Sequence, residues 1–171
     1  MTKITQQLAQ KLVSLLKARD FRAAADAVAE SRRAGPLVEE LMDIFHHTPS
    51  ILSALTSEAL AHLRIAAAML LLTGQSRAKR WLPNGLELGI KMNNEAAARM
   101  LLFHAGHQRK LRQSRAHGFR TAEVCGAKDS RHCAACREID GKSYRLDDLP
   151  ELPYPRCTCE DGCRCTALYS E

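Results

Sequence analysis

All seven cysteines of this 171-residue chain lie within its last 47 residues, and six of them form two groups separated by 20 residues. The first group is a Cys133-x-x-Cys136 pair, and the second is a run of four closely spaced cysteines. A CxxC turn can direct two thiolates at one ion, and a second short segment can complete the tetrahedron that zinc requires. The spacing therefore predicts a zinc site. Its candidate ligands are Cys133, Cys136, Cys157, Cys159, Cys163 and Cys165.

The spacing leaves open which four cysteines bind the ion. Cys133 and Cys136 are the firmest candidates, because a CxxC turn brings both sulfurs to one side. Cys163, together with either Cys157 or Cys159, is expected to complete the site. One zinc ion is expected, since two would need about eight ligands or shared thiolates.

Sequence position also bears on the roles of Cys165, Cys125 and His132. On a strand, Cys165 would share a face with the cysteine two positions before it. Cys125 stands apart and is either a ligand or a buried thiol. His132 adjoins the CxxC pair and is expected to face the solvent.

A disulfide framework is the main alternative, but seven thiols would leave one unpaired. The first twenty residues lack the continuous apolar stretch and small-residue cleavage site of a secretory signal. The richest apolar run, Ile65 to Leu72, is far shorter than the roughly 18 residues that cross a bilayer. These features predict a cytoplasmic protein, and in that reducing compartment cysteine clusters bind metal more often than they cross-link.

The composition favours helices, because aromatic residues make up only 5% of the chain and its apolar residues are mainly Ala and Leu. Helices are expected at 21–33, 37–47, 51–73 and 94–117, with breaks at Gly35-Pro36 and at Thr48-Pro49-Ser50. An interruption of the third of these at Thr56-Ser57 is left open. Short strands are expected at 142–146 and 166–169. The predicted fold is mainly α: a helical bundle or short α-solenoid over residues 1–117, and a small zinc-bound β-hairpin module over residues 118–171.

The positive charge is concentrated in residues 74–120, which carry ten Lys or Arg and two Asp or Glu. Such a density of cations is typical of a surface that binds nucleic-acid phosphates. The alternative is an ordinary solvated helix face, or one that docks the acidic cysteine-rich segment. His104 and His107 are expected to form a surface pair. The candidate nucleic-acid ligands are Arg109, Lys110, Arg112, Arg115 and Arg120.

Motifs of common enzymes are missing from the sequence. It contains no phosphate-binding P-loop, no dinucleotide fingerprint, no nucleophile elbow and no H-E-x-x-H pair. A zinc-dependent nuclease could use His132 with Asp129 or Asp140, although their spacing does not demand it. A catalytic zinc also keeps an open coordination position, which an all-cysteine site normally closes. The chain is therefore predicted not to be an enzyme.

Four short motifs follow one another in the last third of the chain: the CxxC pair, Asp140-Gly-Lys-x-Tyr144, a proline-rich turn at 149–153, and Cys163-Arg-Cys165. This combination covers about 45 of the 171 residues and resembles the cysteine-rich segment of the phage head-morphogenesis, or minor head protein, family. That family usually has a His shortly before the final motif, where this chain has Cys159. The residues before the segment do not resemble the family.

The resemblance implies a zinc-stapled module of phage or prophage origin, in a bacterial host cell or associated with a virion. The leading functional hypothesis is a non-catalytic, zinc-stabilised protein that binds nucleic acid or a protein partner. The second hypothesis is a phage head-morphogenesis or minor structural protein, and the third is a zinc-dependent nuclease-like enzyme. No membrane association and no small-molecule substrate are predicted.

Overall fold

A computed structural model describes residues 5–28 and 31–171 of the chain. Six helices and three strands occur within these residues. The helices are α1 (Gln6–Lys17), α2 (Phe21–Asp26), α3 (Ser31–His46), α4 (Ser57–Thr73), α5 (Asn94–Ala116) and α6 (Ala134–Ile139). The strands are β1 (Thr121–Cys125), β2 (Ser143–Arg145) and β3 (Thr166–Ser170). The structure is therefore mainly helical, as the composition predicts. No helix among these residues combines the length and apolar character needed to cross a bilayer.

Four of the helices begin at a polar side chain that accepts a hydrogen bond from the backbone N–H three residues later. Such a cap satisfies one of the donors that the first turn of a helix leaves free. At the other end of α4, Gly74 adopts a left-handed conformation with φ 64°, which is how many helices terminate. The four capping residues are Thr5, Asp20, Thr56 and Asn93.

The predicted break at Gly35-Pro36 is wrong, because α3 runs through it and contains Pro36. Proline removes one helical hydrogen bond and crowds the preceding turn, which normally ends a helix. Here Ala34 before the proline and Leu41 and Ile44 after it are all buried in the core. Burial of this continuous apolar face favours one helix over two.

Helix α5 lies against α3 and α4, and both α4 and α5 bury a run of three consecutive alanines. Short side chains on both surfaces allow two helices to approach closely, since interaxial distance depends on the side chains at the contact. The alanine-rich composition thus serves close packing of the longest helices. The fully buried alanines are Ala66, Ala67 and Ala68 on α4 and Ala96, Ala97, Ala98 and Ala105 on α5.

The strands form one antiparallel sheet with the order β2-β1-β3. Ala122 of the central strand pairs with Tyr144 on one side and with Tyr169 on the other. The two predicted strands are present at nearly the expected positions, but they do not pair with each other as a hairpin. The strand between them, β1, was not predicted.

The C-terminal segment packs on the helices and shares their hydrophobic core, which includes Val124 and Leu152. The backbone N–H of Asn93 donates to the carbonyl of Glu160 at 3.1 Å, and His104 Nδ1 lies 3.1 Å from the carbonyl oxygen of Leu152. Secondary structure changes between α5 and β1, close to the predicted boundary at 117/118. The division into two domains remains a prediction, because the core crosses that boundary.

Candidate metal centre

The cysteine groups meet between α6 and the loop that precedes β3. Cys133 is the N-cap residue of α6, and Cys136 lies in its first turn, so the start of this helix fixes the spacing of both sulfurs. The loop of residues 157–165 brings four more thiols to the same place. The buried members of the cluster are Cys136, Cys157, Cys163 and Cys165, while Cys133 and Cys159 are half-buried.

The distances between these sulfurs are those of metal ligands. Cys133 Sγ lies 3.9 Å from Cys157 Sγ, and Cys136 Sγ lies 3.9 Å from Cys163 Sγ. Two sulfurs bound about 2.3 Å from one tetrahedral zinc would be about 3.8 Å apart. The sulfurs of Cys133, Cys136 and Cys157 all lie within 4.8 Å of one another. The cluster could therefore hold a metal ion.

His132 belongs to the cluster, and the prediction that it faces the solvent is wrong. Its exposed fraction is 7%, and its Nε2 lies 4.0 Å from Cys165 Sγ. The ring packs directly over Gly126, where a Cβ atom would overlap it. His132, Cys136 and Cys165 form a second set of three donors within 4.8 Å of one another. The sequence signal for this membership was the position of His132 next to the CxxC pair, since adjacent residues can both reach an ion.

The charges of the cluster are interdependent. Burial would raise the pKa of the Cys133 thiol, but the nearby amides of Thr158 and Cys136 and the adjacent sulfurs outweigh it and lower that pKa to about 6. Hydrogen bonds from neighbouring thiols, first of all Cys136, lower the pKa of Cys163, and hydrogen bonds with Cys157 and then Cys163 raise that of Cys136. So many close thiols cannot all ionise without a cation, because their negative charges repel.

Backbone groups also surround the sulfurs. The N–H of Tyr154 donates to Cys163 Sγ at 3.2 Å, and the Cys159 thiol donates to the carbonyl of Arg131 at 3.2 Å. A thiolate that accepts an N–H hydrogen bond is stabilised in its charged form, the form that binds metal. The loop and the start of α6 are therefore joined by hydrogen bonds as well as by sulfur contacts.

Ion pairs hold the same two segments together beside the cluster. Arg164 donates two hydrogen bonds to Asp129, at 2.6 and 2.7 Å, and Arg131 contacts Asp161 at 3.1 Å. The guanidinium of Arg164 lowers the pKa of the Asp129 carboxyl far below its usual range. Bidentate pairing of this kind fixes orientation as well as distance. It helps to position the residues around His132.

Cys125 belongs to neither set of donors. Its sulfur lies at the end of β1, 3.9 Å from a carboxylate oxygen of Glu123. Burial and then the charge of Glu123 raise the pKa of its thiol. Of the two roles left open for Cys125, the structure offers no support for a ligand.

Most of the predicted nucleic-acid ligands are engaged within the protein. Arg109 Nε lies 2.7 Å from Glu40, Arg112 donates to Asp43 at 2.6 Å, and Arg115 contacts Asp147 at 3.0 Å. The first two pairs join α5 to α3. Lys110 and Arg120 are exposed. The structure thus distributes the five residues over different surroundings instead of collecting them into one free surface.

The prediction that the two histidines of α5 form a surface pair is wrong, because both are buried. Their exposed fractions are 7% for His104 and 6% for His107. The His107 ring stacks on Tyr169 of β3, with its Nδ1 3.3 Å from the tyrosine hydroxyl. These histidines pack α5 against the C-terminal segment.

No family model matches the chain, and searches of characterised proteins and of solved structures gave no match either.

Proposed function

We propose that this is a non-catalytic binding protein whose C-terminal segment is stapled by zinc. The observation that carries the proposal is the set of Cys133, Cys136 and Cys157, whose sulfurs lie within 4.8 Å of one another. A buried group of thiols at ligand spacing, brought together from two separate segments, is what a structural metal site requires. The ion would fix the loop of residues 157–165 against α6.

The donor set favours zinc over other metals. Soft thiolate ligands select zinc, copper(I) or iron, whereas calcium and magnesium prefer oxygen. Zinc accepts any combination of cysteine and histidine in a tetrahedron, so the presence of His132 beside six thiols suits it. A structural zinc contributes directly to folding free energy, which fits a small sheet with few apolar residues of its own.

The surroundings support a structural role over the nuclease-like alternative. That alternative requires an acid beside the metal with a free carboxylate. Asp129 is bound by both nitrogens of Arg164, and Asp140 accepts a hydrogen bond from the N–H of Gly126 at 2.7 Å. Both carboxylates therefore hold the fold together.

Mass spectrometry of the intact chain under native conditions tests the metal. Zinc should accompany the protein, and Cys133→Ser should remove or weaken it. Cys125→Ser is the matched control, because that thiol lies outside the cluster, and it should leave the zinc content unchanged. Disulfides without metal in protein kept reduced throughout purification would overturn the proposal, and iron with visible absorption would replace zinc.

For the partner, nucleic acid is the stronger candidate. Arg120 and Arg145 line a cleft of about 500 Å³ together with Phe119. Cations beside an aromatic ring suit a nucleic-acid backbone with a stacked base. Arg115 lines the same cleft, with its charge engaged by Asp147. This cleft gives Arg120 a role different from that of the paired arginines of α5.

The salt dependence of binding to generic single-stranded DNA or RNA tests that partner. Log affinity should fall linearly with log salt, and replacing Arg120 and Arg145 by Ala should reduce the slope by about 0.7 for each lost contact. Arg22→Ala, an exposed arginine on α2, should leave the slope unchanged. If no binding occurs at about 50 mM salt, nucleic acid is excluded and the partner is a protein.

A role in phage head morphogenesis is the second candidate, and the Asp140-Gly-Lys-x-Tyr144 motif favours it. Gly141 has φ 72° and turns the chain into β2, where Tyr144 pairs with the central strand. The motif therefore has a definite structural role in presenting one edge of the sheet. Neighbouring genes for a portal or capsid protein, and binding of the purified chain to either product, would support this function. Neither finding would be expected of a host-encoded nucleic-acid-binding protein.

A further inference from the structure

The two sets of donors in the cluster overlap at a single sulfur. Cys136 lies within 4.8 Å of both Cys133 and Cys157 on one side, and of both His132 and Cys165 on the other. It is buried and central, and no other residue belongs to both sets. A thiolate has enough lone pairs to bind two metal ions at once, so the sulfur shared by the two sets can be a ligand of both ions.

Two cysteines of the same loop remain to supply a fourth donor to each set. Cys159 is two residues from Cys157, and Cys163 Sγ lies 3.9 Å from the shared sulfur and two residues from Cys165. Six cysteines and one histidine supply seven donors. With one thiolate counted twice they fill eight positions, which is what two four-coordinate ions need.

We propose that the chain binds two zinc ions bridged by the thiolate of Cys136. This proposal rests on the proposed function, which supplies the first ion. It adds a second ion and so makes the single site binuclear. The first ion takes Cys133, Cys136 and Cys157 as ligands, with Cys159 of the same loop as the fourth. The second ion takes His132, Cys136, Cys163 and Cys165.

Burial supports the second ion. All three members of its defining set, His132, Cys136 and Cys165, are buried. A single ion on the first set would leave the imidazole and the Cys165 thiol facing each other at 4.0 Å inside the protein. That 4.0 Å contact is a long hydrogen bond, whereas a shared metal would bind both groups directly.

The local charges also suit two ions. Two zinc ions with six thiolates and a neutral imidazole carry a net charge of about −2. Four thiolates on one ion, with the other thiols protonated, would carry the same charge but leave two buried thiols without ligand bonds.

The zinc content of the full-length chain separates this proposal from the proposed function. Purified with excess zinc and then dialysed, the wild-type protein should retain two ions per chain in native mass spectra. One ion would overturn the binuclear site while leaving the structural zinc intact. No ion would overturn both.

Single substitutions identify the second site. His132→Ala and Cys165→Ser should each reduce the content from two ions to one, and the control Cys125→Ser should keep two. Circular dichroism shows whether each variant retains its helices. If a folded His132→Ala variant still binds two ions, the second site is not where the geometry places it, and the assignment fails.

Cadmium NMR of the wild-type chain tests the bridge without any substitution. Loaded with ¹¹³Cd, which replaces zinc in thiolate sites, the protein should give two resonances. The signal from the site with three sulfurs and His132 should differ from that of the all-sulfur site. Scalar coupling between the two signals is expected, because both ions bind one sulfur. Two resonances without coupling would overturn the shared thiolate, and one resonance would overturn the second ion.

Discussion

On α3, the buried carboxylates of Glu40 and Asp43 face arginines from α5. Burial raises the pKa of Glu40, and the charge of Arg109 opposes that shift. Removing the arginine would leave a carboxylate without its counter-charge in a place withdrawn from water. Breaking a fully buried pair costs about 3–5 kcal/mol, and the Arg109 side chain is 31% exposed, so the cost here should be smaller.

We expect Arg109→Ala to lower the free energy of unfolding by about 1–3 kcal/mol, as measured by urea denaturation. Its neighbour Lys110 is exposed, and Lys110→Ala should change stability by less than about 0.5 kcal/mol. Equal effects from the two substitutions would show that the contact with α3 contributes nothing. The comparison also separates a structural arginine from an exposed lysine that could bind phosphate.

His107 gives the protein a pH dependence of known sign. Burial, and then the charges of His104 and Lys110, lower its pKa to about 4, from about 6.5 in an unfolded chain. The unfolded state therefore binds the proton first as pH falls. This contribution to stability is complete above about pH 6.5 and is lost as pH falls towards 4, by at most about 3 kcal/mol.

His107→Gln should flatten the decline of stability between about pH 6.5 and pH 4.5 in urea titrations. His62→Gln is the control, because that histidine is exposed on α4 and should leave the decline unchanged. Release of zinc by acid affects all three proteins alike, so the difference between the slopes isolates the histidine. Parallel curves for wild type and His107→Gln would contradict the assignment.

The residues that bind or bury charge were only partly predictable. Cysteine spacing identified the six clustered thiols, because a metal constrains ligands that are close in sequence. His132 could have been included from its position beside the CxxC pair, whereas the burial of His107 was not predictable, since it depends on Tyr169, which is 62 residues away in sequence. The pairing of α5 arginines with α3 likewise depends on how two helices cross.

At the scale of elements, the loop that carries the last cysteines bends at Gly162. This glycine has φ 84°, and a Cβ atom there would lie 2.8 Å from the Cε of buried Met100. The Met100 sulfur in turn accepts a hydrogen bond from the N–H of Cys163 at 3.2 Å. An added methyl group would therefore strain the backbone and disturb the position of a ligand.

Gly162→Ala should lower the free energy of unfolding by about 2–3 kcal/mol, the sum of backbone strain and of overpacking against α5. Gly141→Ala is the matched control. Its φ is 72°, but no atom lies within 4 Å of the position of its Cβ, so it should cost only about 1 kcal/mol. If urea denaturation shows that Gly141→Ala lowers the free energy of unfolding more than Gly162→Ala does, the contact with Met100 does not determine the loss of stability.

The helices were more predictable than the sheet. Local signals mark both ends of α4 and α5. Thr56 and Asn93 are their N-cap residues, and Gly74 and Gly118 follow their last turns. The strand β1 carries five residues and pairs with strands about 20 and 45 residues further on, so its formation depends on partners that are distant in sequence. The continuity of α3 through Pro36 depends on packing, which overrides the local preference to break.

Across the whole molecule, α5 connects the two parts of the fold. One side of it contacts α3 and α4, and it also contacts β3. Through Met100, His104 and His107 it touches the loop, the proline-rich turn and the last strand. The cysteine cluster therefore lies against a helix that the remaining helices hold in place, which explains how a sheet of three short strands can be ordered.

Removal of the proposed zinc should consequently loosen the C-terminal segment more than the helices. All cluster donors lie at or after residue 132, while α1 to α4 contact one another independently of them. In hydrogen-exchange experiments, chelation should abolish protection over residues 121–171 and reduce it in α5, with α1 to α4 retaining most of theirs. The stabilisation lost should be at least about 3 kcal/mol, because a structural zinc contributes its binding free energy to folding.

Two controls make the exchange experiment decisive. Adding zinc back should restore protection in wild type and in Cys125→Ser, since that thiol is not part of the cluster. Cys136→Ser should remain unprotected over residues 121–171 with or without zinc, because the central sulfur is missing. Loss of protection spread equally over α1 to α4 would contradict the expectation, as it would mean that the helices cannot persist without the metal. Unchanged protection after complete chelation would show that the sheet and the loop are held by packing and ion pairs alone.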